Sequence, residues 1–97
     1  MSETKNSINN DDVFTYADHV AFRKIAGKVV IVQPLEEKML TLNESGTAIW
    51  EMLDGISVKN IALALMDEFE VDEPSAVIDV TEFLHDMLSR GLIARLV

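Results

Sequence analysis

The stretch LTLNESGTAIWEMLDG, Leu40 to Gly55, joins a strand to a helix and then stops the helix. Leu40 and Leu42 alternate with Thr41, the period of a strand that lays one face on a core. Asn43 follows where a helix N-cap belongs, because its side-chain oxygen accepts a first-turn N–H, and Glu44 beside it favours the positive end of the helix dipole. Ile49, Met52 and Leu53 then recur at i, i+3 and i+4, the spacing of a buried helical stripe, and Gly55 is placed to end the helix. Trp50 lies next to Ile49 on this short amphipathic helix and is read as core, since aromatic side chains dominate small cores.

On the N-terminal side, VAFRKIAG (20–27) and KVVIVQP (28–34) are β-branched runs split at Gly27, which suits a tight hairpin. After a turn over Pro34 to Glu37, KMLTL forms a third strand, with Leu40 and Leu42 on one face and Met39 and Thr41 on the other. On the C-terminal side Ser57 caps a second helix with Val58, Ile61, Ala62, Leu65 and Phe69 as its apolar stripe. Asp72 and Pro74 open a third helix that runs to about Arg90, where Gly91 stops it. LIARL (92–96) is expected to pack as an extended tail, and residues 1–14, polar and without period, as a mobile tail that leaves 15–97 as the domain. Strands in a row followed by helices in a row predict an α+β domain: a three-stranded antiparallel sheet followed by three helices on one face, with the other face or one edge still available.

The third helix carries more apolar surface than one contact uses. Placed at 100° per residue, Val77, Ile78, Val80, Phe83, Leu84, Met87 and Leu88 span an arc of roughly 220°, wider than the ~100° stripe of a surface helix. Burial of most of the arc in a central helix accounts for part of it. The shoulder formed by Val80, Phe83 and Met87 is the candidate wall of a groove. Asp79, Glu82, His85, Asp86, Ser89 and Arg90 make the solvated side.

Composition narrows the functions. The 97 residues fit one domain, and 48% hydrophobic with 26% charged is the balance of a globular chain. No apolar run is long enough to cross a membrane and the start has no signal-peptide order, so a cytoplasmic protein is expected. The absence of cysteine removes thiolate chemistry and cysteine-ligated metals. Glu82 and His85 form a single E-x-x-H, with His19 the only other histidine, too few ligands for a metal site. No G-x-S-x-G or phosphate-binding glycine loop is present, so no catalytic residue and no cofactor are assigned. A net charge of −9 opposes binding to nucleic acid, although Arg23, Lys24, Lys28 and Lys38 gather four of the eight basic residues near the strands.

The pattern LNESGTAIWEMLDG, followed by SVKNIALALMDEFEVDEPSAVIDVTEFLHDMLSRGLI, resembles the PqqD family of pyrroloquinoline quinone synthesis, with Leu42, Asn43, Ile49, Trp50, Asp54, Gly55, Gly91 and Leu92 at the family's marked positions. The resemblance runs from about Val20 to the C-terminus. It implies a winged helix-turn-helix-like module, a RiPP recognition element, that binds the leader segment of a precursor peptide by strand addition and presents it to a peptide-modifying enzyme, often a radical-SAM enzyme. Carried to this chain, it nominates Lys38, Met39, Leu40 and Thr41 for the strand contact and Val80, Phe83, Leu84 and Met87 for the apolar wall, with Lys38 and its basic neighbours steering an acidic leader. Two other readings compete with it: a winged-helix DNA-binding regulator, opposed by Asp79, Glu82 and Asp86 on the third helix, and a homodimeric scaffold using the same edge.

Overall fold

A two-residue turn sets the sheet in place. Ala26 and Gly27 both have positive φ, 53° and 84°, the combination whose twist matches a right-handed hairpin. In the computed structural model, which describes residues 8–33 and 38–96, this turn joins β2 (Ala21–Ile25) to β3 (Lys28–Gln33). β3 pairs antiparallel with β4 (Lys38–Thr41), giving the sheet order β2-β3-β4. The turn expected over 34–37 lies outside the described residues. Three helices follow, α1 (Glu44–Met52), α2 (Val58–Phe69) and α3 (Glu73–Ser89), so the expected sheet-then-helices order is the observed one.

Each helix starts on the residue the sequence marks. Asn43, Ser57 and Asp72 accept the backbone N–H of Gly46, Asn60 and Ser75, replacing partners that the first turn lacks. Gly55 and Gly91 have φ of 78° and 75°, conformations that side-chain-bearing residues rarely hold. The stripe of α2 is buried at Val58, Ile61, Ala62 and Leu65 and packs on α3. Trp50 is fully buried, its ring 4.8 Å from that of Tyr16 and 5.2 Å from that of Phe22. The Tyr16 hydroxyl donates to the Trp50 carbonyl at 2.6 Å. Burial, with Asp54 and Glu51 nearby, raises the Tyr16 phenol above its ordinary pKa.

One rung of the β3–β4 ladder is a side chain. The Leu42 N–H donates to the Val29 carbonyl at 2.9 Å. The return bond is made through Thr47, whose hydroxyl accepts from the Val29 N–H at 3.0 Å and donates to the Leu42 carbonyl at 3.4 Å. Thr47 is buried, so this hydroxyl ties α1 to both strands where water cannot substitute for it.

The two ends of the chain depart from expectation. β1 (Val13–Tyr16) pairs antiparallel with β5 (Ile93–Leu96), forming a second, two-stranded sheet where the sequence suggested a mobile tail at one end and a packed extended tail at the other. The boundary expected at residue 14 therefore falls inside a strand, and Phe14 is fully buried. Upstream of it the carbonyls of Asn10, Asp12 and Phe14 accept the N–H groups of Lys59, Val58 and Gly55. Two of those donors belong to the first turn of α2, where donors lack intrahelical partners. The polar stretch Asn9–Asp12 showed no period because it works through its backbone. Arg95 pairs with Asp12 and lies over the Phe14 ring, 5.3 Å from its centre. The part of the expected tail in residues 1–7 lies outside the described residues.

Three outcomes follow from this packing. A chain starting at Thr15 should fail to fold cooperatively, whereas Phe14→Ala in the full chain should cost about 3–5 kcal/mol in denaturant unfolding. Thr47→Val should cost about 1–3 kcal/mol by orphaning the Val29 N–H and Leu42 C=O, and Thr47→Ser should restore most of it. Asp12 is held below the usual carboxylate range by the Asn9 backbone N–H first and by Arg95 second. A depressed carboxyl stabilises the fold above its unfolded pKa of about 4 and loses that contribution as pH falls through the folded value. An acid titration of Asp12→Asn should accordingly show a shallower loss of stability below about pH 4 than the parent.

Candidate peptide-binding edge

Among the described residues β4 is an edge strand, and the ladder fixes which of its groups are free there. In an antiparallel pair, residues alternate between those bonded to the partner and those turned away. The Leu42-to-Val29 bond sets the phase, so Leu40 and Lys38 bond inward to Ile31 and Gln33. The N–H and C=O groups of Met39 and Thr41 then point out along the open edge. The β2–β3 hairpin gives the same phase, since its tight turn makes Ile25 and Lys28 a bonded pair.

Side-chain directions follow the pleat. Leu40 and Leu42 share the core face with Val29 and Ile31, while Met39 and Thr41 share the outer face with Val32. Met39 is 70% exposed, an unusual setting for a large apolar side chain on an edge strand.

α3 passes beneath this edge and is tied at two points. Near one end the Phe83 ring lies beside Gly46, so closely that a Cβ on Gly46 would stand 3.2 Å from the ring, 3.1 Å from the Asn43 amide oxygen and 3.4 Å from the Leu42 Cβ. At the other end Arg90 donates from Nη1 to Gln33 Oε1 at 3.3 Å and from Nε to Asp86 at 3.1 Å. Gln33 is the cross-strand partner of Lys38. From residue 79 to residue 90 the helix rises about 16 Å, close to the ~13 Å of a strand from residue 38 to residue 42. Asp79, Phe83, Asp86 and Arg90, spaced i, i+4, i+7 and i+11, form one stripe of the helix along this length.

The expected wall residues separate into two groups. Phe83 is half-exposed and lines, with Asn43, Gly46, Asp79, Glu82 and Asp86, a depression of about 300 Å³ where β4 passes into α1. Val80, Leu84 and Met87 are fully buried instead. Their part of the wide apolar arc serves the domain core, as a central helix in a small domain requires. They belong to the core cluster against which Phe83 packs and present no surface of their own. Lys38 and Thr41 are exposed and Leu40 is half-buried.

Sequence reading missed Thr47, Gln33 and Gly46 as builders of this edge. A buried threonine on the apolar side of a helix was the one signal present for Thr47. Glu82 and His85 lie exposed on α3, and among the described residues no group of three or more potential ligands is gathered for a metal. A larger depression of about 390 Å³ lies between Ile8 and the Glu82–His85 flank of α3, with no open strand edge among its lining residues. Among the described residues no helix is long and apolar enough to cross a membrane.

The family model for coenzyme PQQ synthesis protein D (PqqD) matches residues 28–93. Comparison with curated proteins gives no significant match. Among solved structures, TbiB1 in complex with the TbiA(beta) leader peptide is 26% identical and superposes with a TM-score of 0.74, over 81% of this chain and 93% of that one. The PqqD truncation of Methylobacterium extorquens PqqCD, solved by solution NMR as a functional and stand-alone RiPP recognition element, is 21% identical with a TM-score of 0.77, over 95% of this chain and 99% of that one. The second likeness is one of fold. With the family model spanning about two thirds of its length, this chain belongs to the PqqD family of non-catalytic modules.

Proposed function

We propose that the protein is a cytoplasmic recognition element that binds the leader segment of a ribosomally made precursor peptide and presents it to a modifying enzyme. A radical-SAM enzyme is the partner class suggested by the family, and pyrroloquinoline quinone or a related peptide-derived product the pathway class. The observation that carries the proposal is the open edge of β4, where Met39 and Thr41 offer N–H and C=O groups unpaired among the described residues, above the Phe83 stripe of α3. An extended peptide satisfies those groups as a fourth strand, and antiparallel addition continues the pattern of the sheet. TbiB1, similar in fold and sequence, was solved with a leader peptide bound.

In this reading Met39, Thr41 and Phe83 make the direct contacts, Lys38 and Leu40 flank them, and Val80, Leu84 and Met87 hold Phe83 in place. The protein contributes binding energy and raises the precursor's local concentration at the enzyme, without a reacting group. The net charge of −9 and the carboxylates on α3 weigh against duplex DNA as the ligand.

The test uses Thr41→Pro. The Thr41 N–H faces the open edge, so proline deletes an outward donor and leaves the inward bonds of Leu40 and Leu42 intact. The variant should keep its fold, as judged by its amide spectrum, and bind N-terminal segments of the short peptides encoded beside its gene roughly tenfold more weakly, the loss of one or two strand bonds at about 1 kcal/mol each. Undiminished binding by the folded variant would exclude strand addition at β4. Light scattering on the free protein checks whether a second copy occupies the edge instead.

A further inference from the structure

The groove between β4 and α3 is electrically polarised along its length. At the end where β4 passes into α1, Asp79 and Glu82 are exposed, neither is in an ion pair among the described residues, and no Lys or Arg lines the depression they share with Phe83. The N-terminus of α1 lies there too, with the Gly46 N–H taken by Asn43, and at that terminus Glu44 sets a further carboxylate against Lys28 of the adjoining depression. At the opposite end stand Lys38 and Arg90. Arg90 uses Nε for Asp86 and Nη1 for Gln33, so its Nη2 donors remain for a ligand and Asp86 is already compensated.

We propose that this polarity selects a leader in which a basic, an apolar and an acidic residue follow one another, in that order, at alternate positions. The inference rests on the strand-addition reading above. β4 runs from Lys38 towards Leu42, so an antiparallel strand enters beside Asp79 and Glu82 and leaves beside Lys38 and Arg90. Its earlier residues meet carboxylates and its later ones meet cations. Side chains that face α3 recur every second position, about 6.7 Å apart, so the ~13–16 Å between the two charged ends corresponds to a separation of about four residues. The apolar residue between them falls over Phe83. The leader expected from the groove is of mixed charge and fixed order, where Lys38 and its neighbours alone suggested an acidic one.

Three synthetic peptides of equal length test this: one with Lys, Leu and Glu at alternate positions in that order, one with Glu, Leu and Lys, and one with Gln at both charged positions. Dissociation constants are read from the amide shifts of Met39 and Thr41 at about 50 mM and about 500 mM salt. The Lys-first peptide should bind about tenfold more tightly than the Glu-first peptide at low salt, with the neutral one between, and the gap should close to about twofold at high salt as exposed pairs are screened. The doubly exposed variant Asp79→Lys/Glu82→Lys should bring the two charged orders together. Equal binding of both orders with shifts at Met39 and Thr41 would overturn the charge selection and leave strand addition standing. A preference for the Glu-first peptide would overturn the selection as well. Absence of any shift with all three peptides up to millimolar concentration would remove strand addition and, with it, this inference.

Discussion

The Thr47 hydroxyl, bonded at once to the Val29 N–H and the Leu42 C=O, is the contact on which the β4 edge depends. A β-ladder that ends at a helix leaves polar backbone groups exposed to the core, and a buried unpaired group costs about as much as several apolar contacts return. By standing in for the missing rung, Thr47 lets β4 turn directly into α1. The Leu42-to-Val29 bond at that corner sets the phase of the ladder, and the phase decides that the backbone groups of Met39 and Thr41 rather than those of Leu40 point along the open edge. Asn43 secures the same corner from the other side by capping α1.

α3 serves two surfaces with one helix. Val80, Leu84 and Met87 fill the core against α1 and α2, while the stripe from Asp79 to Arg90 stays in contact with water beneath the open edge. Gly46 allows the two roles to coexist, because any larger residue would press on the Phe83 ring and on the Asn43 cap together. The helix is held at both ends of the stripe, by Phe83 beside α1 and by Arg90 under Gln33, which fixes its position against the sheet.

The two-stranded β1–β5 sheet closes the domain from behind. It joins the chain's ends through Phe14 and through the Arg95–Asp12 pair, and its preceding residues cap α2 with backbone carbonyls. Among the described residues none of these contacts involves β4. The uneven charge has a similar logic: the chain is strongly acidic overall, yet Lys38 and Arg90 put two of its few cations at one end of the groove.

Local chemistry was legible in the residues themselves. Asn43, Ser57 and Asp72 announce helix starts because a short side-chain oxygen satisfies a nearby N–H, and Gly27, Gly55 and Gly91 announce turns because φ is a property of the single residue. The apolar periods of α1 and α2, and the face of β4 that carries Leu40 and Leu42, were legible for the same reason: period and burial are correlated over a few residues. The family pattern consists of these same capping and core positions, which is why it identified the fold and left the groove open. What only the tertiary structure decided involves partners distant along the chain. The burial of Val80, Leu84 and Met87, the inclusion of residues 10–14, the bridging role of Thr47 and the opposed charges at the two groove ends all depend on which segments meet, and backbone hydrogen bonds between such segments leave no trace in side-chain pattern.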